Sequence, residues 1–445
     1  MKKEFHNGKV VLLGGDCLEV LDTLSDNSVD SVVTDAPYHL ASIVKRFGKE
    51  GSAPAKFGTD GAYARASSGF MNKEWDGGDI AFRPETWAKM LRVLKPGGYL
   101  LAFGASRNFH RMAVAIEDGG FEIRDTVMWL YGTGFPKSHD IEKAINKIDG
   151  VEFEETNASG VGFMGPEGPG GYNVTKHHLK QKGKSSERAA KWKGFGTALK
   201  PAYEPVIMAR KMIEEKSIAE NVLKHGTGCI NIDGCRIDIH EGDDPRLGGN
   251  GDWSGDKLGY HGSDNDARHP SSPLGRFPAN VMHDGSEEVV AAFPDSKGAQ
   301  GAVRGTEAPK QGTAVYGDYG KRPPQEPRGD QGSAARFFYS SKANGADRLA
   351  SKHPTVKPLD LMRYLVRMVT PPGGTVLDPF AGTGSTGEAA LKEGMKAILI
   401  EREVEYQRDI EDRMNHAFDA VELRKAKNKA AKKNVNTRTI SELFK

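Results

Sequence analysis

The chain has 445 residues, with 62 Lys and Arg against 60 Asp and Glu, and 54 Gly. The net charge of +2 averages two basic segments over an acidic remainder: residues 171–200 hold eight Lys/Arg and one acid, and residues 421–445 hold eight Lys/Arg and two acids. No apolar run approaches the roughly 20 residues that span a bilayer, Met1–His6 carries no apolar stretch of a secretory signal, and the three cysteines are too few for a disulfide framework. These features predict a cytoplasmic protein with local strips for a polyanion.

The N-terminal part alternates strand-like and helix-like runs. Val10–Leu13 reads as a strand, followed by Gly14, Gly15, Asp16 and Cys17. Val29–Thr34 reads as a second strand, ending at Asp35-Ala36-Pro37-Tyr38. Glu85–Leu94 has helical spacing and stops at Lys95-Pro96-Gly97-Gly98, a turn; Tyr99–Phe103 is a buried strand and Arg107–Asp118 a helix. Residues 131–350 hold 33 of the 54 glycines and few long periodic segments. They read as loop-rich, with Gly162–Tyr172, Gly248–Gly262 and Gly298–Gly332 partly disordered. Cys229 and Cys235 lie there between His225 and His240. Without a further nearby cysteine, the pair fits a partly buried turn better than a zinc site.

Alternation resumes near the C-terminus. Leu359–Val369 is helical, Thr375–Asp378 a strand, Ser385–Lys392 a helix, Ala397–Ile400 a strand, and Val404–Phe418 a long helix. Strands alternating with helices predict an α/β fold with a parallel, doubly wound sheet. The sheet would be split across both ends of the chain, with the middle inserted.

The stretch Asp378-Pro379-Phe380-Ala381-Gly382-Thr383-Gly384-Ser385 reads as strand end, glycine turn and helix start. Such a loop lets backbone amides approach a ligand. Gly382-x-Gly384-x-x-Gly387, with Glu401 after the next strand, formally matches the dinucleotide fingerprint, so an NAD-dependent oxidoreductase is one reading. A carboxylate at Asp378 would repel a pyrophosphate but suits an ammonium group, and Glu401 suits ribose hydroxyls. Together they favour S-adenosylmethionine.

Asp35-Ala36-Pro37-Tyr38 would face the same crevice, because ligands of open α/β sheets sit at the carboxyl ends of strands. The chemistry that fits is methylation of an exocyclic amine. Its lone pair is delocalised into the ring. A carboxylate accepting one N–H and a main-chain carbonyl accepting the other draw the nitrogen toward tetrahedral geometry. Tyr38 offers an aromatic face for a base that has left the stack. No cysteine follows a proline, so a cytosine-C5 mechanism with its thiol nucleophile is not expected.

Together these segments resemble β-class amino-group DNA methyltransferases, which act on adenine N6 or cytosine N4. Asp35-Ala36-Pro37-Tyr38 resembles the family's catalytic Asp-Pro-Pro-Tyr, and Asp378–Ser385 its cofactor loop. His353-Pro354-Thr355-Val356-Lys357-Pro358 resembles the signature that contacts the methionine end of the cofactor, and Gly15-Asp16-Cys17 the segment whose Asp holds the adenine amine. Segments such as Leu199-Lys200-Pro201-Ala202-Tyr203-Glu204-Pro205 look like those of phage and prophage methylases, which would place the protein in a bacterium or a phage-infected host.

The resemblance implies a Rossmann-like S-adenosylmethionine-dependent methyltransferase fold, circularly permuted, with a loop-rich target-recognition region inserted. Its halves would be 1–135 and 350–420, flanking 136–349 and followed by a basic tail, 421–445. It implies Asp35, Ala36, Pro37 and Tyr38 as catalytic residues. The cofactor residues would be Asp16, Cys17, His353, Thr355, Lys357, Asp378, Phe380, Gly382, Thr383, Gly384, Ser385 and Glu401. Ala36 departs from the family's first proline but still offers a main-chain carbonyl. Asp at position 35 tilts the target toward adenine N6; cytosine N4 and a silent DNA-binding protein remain as alternatives. The substrate would be double-stranded DNA, with phosphate contacts from Lys176, Lys180, Lys182, Lys184, Arg188, Lys191 and Lys193. Enzymes of this type are frequently homodimers and can accompany a restriction endonuclease. No residue pattern in this chain speaks to either.

Overall fold

The computed structural model describes residues 1–38, 79–132, 134, 138–157, 177–181, 184–238, 275–295, 332–341, 347, 349, 351, 353 and 356–417. The chain starts with β1 (Lys2–Phe5), β2 (Val10–Gly14), α1 (Cys17–Asp22) and β3 (Val29–Thr34). It continues through α2 (Pro84–Val93), β4 (Leu94–Phe103), α3 (Phe109–Asp118) and β5 (Glu122–Leu130). The middle supplies α4 (Ile141–Ile148), β6 (Phe153–Asn157), β7 (His177–Gln181), α5 (Glu187–Ala190), β8 (Tyr203–Arg210) and α6 (Ile218–His225). Then come β9 (Val281–His283), α7 (Glu287–Ala292) and β10 (Tyr339–Ser340). The last elements are α8 (Leu359–Val369), β11 (Thr375–Asp378), α9 (Ser385–Lys392), β12 (Lys396–Glu401) and α10 (Val404–Asn415).

Ten strands form one mixed sheet in the order β1-β2-β12-β11-β3-β4-β8-β5-β9-β10. The run from β2 to β4 is parallel throughout. The late strands β12 and β11 therefore lie between the early strands β2 and β3. This is the Rossmann-like, permuted arrangement expected from the motif order. Each face carries an apolar cluster. On β4, Leu100 and Ala102 join the cluster of Trp87, Met90, Met112 and Ile116, under α2 and α3. Leu101 and Phe103 join the cluster of Leu361, Tyr364, Ala389, Ile410 and Met414, under α8, α9 and α10. Alternate residues of a strand point to opposite faces, which is why a continuous apolar run suits a sheet covered on both sides.

Two findings differ from the sequence expectations. First, Lys95–Gly98 does not separate the helix from the strand, because Leu94 already pairs with Val29 and the next pair is Tyr99 with Ser31. The four residues bulge around Asp30, whose carboxylate takes Lys95 Nζ at 2.6 Å and the Thr375 amide at 2.7 Å. Gly97 there has φ +81°, which favours glycine. Second, 136–349 is not separate from the main sheet. β8 lies inside it, antiparallel to both β4 and β5, and β9 and β10 extend its edge. The two-stranded sheet β6-β7 is the part that pairs apart. Gly162–Tyr172, Gly248–Gly262, most of Gly298–Gly332 and the basic tail lie outside the described residues. Among the described residues no helix is long and apolar enough to cross a membrane.

Leu101 is fully buried between β3 and β8. Truncating Leu101→Ala is expected to lower stability by about 2–5 kcal/mol, read as a lower urea midpoint with the slope unchanged.

Candidate active site

The four adjacent parallel strands β2, β12, β11 and β3 end on the same edge, and their ends line one pocket. At the end of β2, the Asp16 carboxylate caps α1 by accepting the Leu18 amide at 2.9 Å. Cys17 is buried and also lines the pocket, and burial pushes its thiol up to about 12. The Gly15 amide donates to the Glu401 carbonyl at 3.1 Å, tying the β2 and β12 ends together.

The glycine loop follows β11. Gly382 and Gly384 have φ +51° and +77°. A Cβ on Gly382 would lie 3.2 Å from His353 Nε2, so the loop and that histidine are in close approach. His353 packs edge-on against Tyr406, with centroids 4.5 Å apart. Gly384 does not line the pocket; it opens α9 and abuts Ile410. Phe380, Thr383 and Ser385 do line it.

Two acids organise this loop. Asp378 accepts hydrogen bonds from Thr34 Oγ1 at 2.7 Å, Thr386 Oγ1 at 2.5 Å and the Phe380 amide at 3.1 Å. Glu401 accepts the Gly382 and Glu403 amides, both at 2.8 Å. Burial pushes Asp378 up to about 6 and Glu401 up to about 7, against these hydrogen bonds. Desolvation disfavours the charged carboxylate, and the donors only partly offset it.

The Asp35–Tyr38 turn forms the other wall. Tyr38 Oη lies 2.9 Å from Asp35 Oδ1, and Lys357 Nζ donates to Asp35 Oδ2 at 2.8 Å. Lys357 also lies 3.1 Å from Glu204 Oε2 and 3.1 Å from Tyr38 Oη. Tyr38 Oη is a further 3.1 Å from Glu204. Burial opposes the lysine charge, but Asp35 and Glu204 outweigh it and hold its pKa above the ordinary value. Burial also raises the Tyr38 phenol well above its ordinary value, reinforced by the two carboxylates. Ala36 is buried within the cluster under α2 and α3, and Pro37 lines the pocket. Asn108 Nδ2 donates to the Tyr38 carbonyl at 2.5 Å, bracing the turn.

The structure thus gathers Asp16, Cys17, Asp35, Ala36, Pro37, Tyr38, His353, Lys357, Asp378, Phe380, Gly382, Thr383, Ser385 and Glu401 around one pocket. Thr355, Lys176 and Lys182 lie outside the described residues, and Lys180 is described only as backbone of β7. Lys184, Arg188, Lys191 and Lys193 are exposed and away from the pocket, Arg188 lying 3.4 Å from Asp149. Lys357, expected at the methionine end of a cofactor, bonds the Asp35 turn.

Sequence reasoning assigned no role to Glu204, Asn108, Thr34 or Arg413. Glu204 stood within a quoted motif, and an acid before the apolar run Val206–Ala209 was its only signal. Arg413 braces the glycine loop from behind. Its guanidinium donates to the Thr383 carbonyl at 2.7 Å and the Asp347 carbonyl at 2.8 Å, and pairs with Glu388 at 2.9 Å.

Fold and site define a Rossmann-like α/β protein whose pocket joins a glycine loop to an acid–aromatic turn. A family model described as DNA methylase matches residues 29–412. The chain belongs to this family, the N6/N4 amino-methyltransferases of DNA. It is 36% identical over 112 residues to DNA adenine methyltransferase YhdJ of Escherichia coli K12, covering 25% of this chain and 38% of that protein. It is 42% identical over 60 residues to the type II methyltransferase M2.DpnII of Streptococcus pneumoniae, covering 14% of this chain and 22% of that one. The matches thus span well under half of these relatives. Among solved structures, the cytosine-N4-specific PvuII DNA methyltransferase aligns with TM-score 0.37 and 14% identity, covering 92% of this chain and 93% of that one.

Replacing Arg413 by Ala removes the nearest described cation from the fully buried Glu388. It is expected to destabilise the protein by about 3–5 kcal/mol. The double variant Arg413→Met with Glu388→Gln is expected to recover much of that loss in the same thermal unfolding measurement.

Proposed function

We propose that the protein transfers a methyl group from S-adenosylmethionine to the N6 amine of adenine in double-stranded DNA. The observation that carries this reading is that Asp35 and the glycine loop share one pocket, brought together by strands from opposite ends of the chain. The pocket suits a cationic, nucleoside-bearing cofactor. It is acidic at Asp16, Asp378 and Glu401, and the glycines leave room close to the backbone. When bound, the cofactor supplies an electrophilic methyl group on sulfur. Asp16 would take the adenine amine, and Glu401 would accept from ribose hydroxyls through lone pairs beyond those its two amide bonds use. Asp378 acts chiefly by shaping the loop, since three donors of the protein already bond it.

The Asp35 carboxylate and the Ala36 carbonyl accept hydrogen bonds from the two N–H groups of the target amine, one each, and the single proton lost on methylation leaves on the Asp35 side. This concentrates the lone pair on nitrogen and orients it toward the methyl group. Tyr38 holds the ring face of the extruded base. Lys184, Arg188, Lys191 and Lys193 supply a strip for phosphates, which positions the duplex without reading its sequence. Asp at position 35 supports adenine over cytosine.

Unmethylated DNA incubated with protein and cofactor, then digested to nucleosides, is expected to show N6-methyladenine by mass spectrometry. N4-methylcytosine would move the target to the second base, and neither product would end the proposal. Asp35→Ala is expected to lower the rate by about 10²–10³, the scale for one lost polar contact to the transition state.

Cofactor affinity is expected to depend on pH. Asp378 and Glu401 titrate at about 6 and about 7, and a cationic ligand prefers their ionised forms. Affinity should therefore rise with pH through that window and level off above it. Glu401→Gln should remove the upper part of the rise in isothermal titration calorimetry.

A further inference from the structure

Asp35, Tyr38, Glu204 and Lys357 form a closed polar cluster. Asp35 Oδ1 faces the Tyr38 hydroxyl and Asp35 Oδ2 faces the Lys357 ammonium. Both oxygens of the carboxylate that a target amine would bond are therefore engaged by the protein's own donors. The Lys357 side chain is only 6% exposed, and its ammonium lies over the Phe103 ring at 4.8 Å. A buried ammonium stripped of its counter-ion is costly, so it cannot leave Asp35 for nothing. Glu204 Oε2 lies 3.1 Å from that ammonium and 3.1 Å from the Tyr38 hydroxyl. It is the second carboxylate that both donors already touch. Glu204 reaches the site from β8, the strand inserted between β4 and β5.

We infer that Glu204 is a positioning residue that receives Lys357 and Tyr38 when the target amine displaces them from Asp35. The inference rests on the methylation reading above. Before the base enters, Lys357 bridges two carboxylates. The incoming amine takes the place of these donors at Asp35, while the ammonium keeps a full counter-ion in Glu204. No covalent bond changes in this exchange. Without the Glu204 charge, Asp35 is the one carboxylate left against Lys357 among the described residues. The amine must then break a buried ion pair, and Asp35 stays neutralised by the lysine when its electron density is needed. The cost falls on a step after DNA and cofactor have bound.

Single-turnover methylation at saturating DNA and cofactor separates this role from a structural one. Glu204→Gln is expected to lower the single-turnover rate at least 100-fold, with DNA and cofactor affinities within about twofold of wild type. Adding Lys357→Gln to Glu204→Gln should then raise the rate at least tenfold over Glu204→Gln alone, because the cation that occupies Asp35 is gone. Lost packing would not be rescued by a second lesion. A Glu204→Gln rate within threefold of wild type would overturn the inference. So would a double variant no faster than Glu204→Gln at saturating cofactor. A wild-type protein that methylates no base would instead overturn the reading on which the inference rests.

Discussion

The placement of β12 and β11 between β2 and β3 is the constraint on which the site depends. β11 pairs with β3 through Val376–Ser31 and Leu377–Val32, and β12 pairs with β2 along five residues. These ladders bring residues more than 300 positions apart to one edge of a sheet. Every contact between the glycine loop and the Asp35 turn follows from that pairing. The bond from Thr34 Oγ1 to Asp378 spans the junction directly, one side chain from the end of each neighbouring strand. The parallel strands are buried on both faces, so a register slip would move apolar residues between two different clusters.

A few charged side chains lie where apolar packing would otherwise be expected. Arg413 and Glu388 lie within the interior, and Lys357 with Asp35 and Glu204 beside the pocket. Such pairs contribute little net stability, because desolvation offsets their attraction. They fix geometry instead. The three donors of Arg413 set the height of the Thr383 backbone, and Lys357 sets the separation of two carboxylates. The acids of the glycine loop follow the same logic: backbone amides and hydroxyls hold them in place and partly offset the rise in pKa that burial causes.

Local structure was largely legible in the sequence. The bounds of β3, α8, β11 and α9 follow from apolar runs ended by Gly, Pro or Asp, since those residues act within a few positions of themselves. The Lys95–Gly98 segment was legible as a break in regular backbone but not as a bulge. Its bulging depends on Asp30 accepting from Lys95 and from Thr375, and Thr375 lies in the far half of the chain. β8 was hidden for a related reason. It lies within the middle of the chain that reads as loop-rich, and its partners β4 and β5 are distant in sequence and antiparallel to it.

The site divides in the same way. The short segments that carry the chemistry are encoded by adjacent residues: an acid–aromatic turn after one strand and a glycine loop between two acids. Their order along the chain also determined the permuted family to which the protein belongs. What those segments touch follows from the three-dimensional packing. Tyr38 meets Glu204 across 166 positions, and Lys357 meets Asp35 across 322. Spacing along a chain sets the phase of a helix or strand over a few residues, but it carries no information about which distant strand will lie alongside. Sheet pairing supplied that, and it set Lys357 against Asp35 at the edge of the pocket.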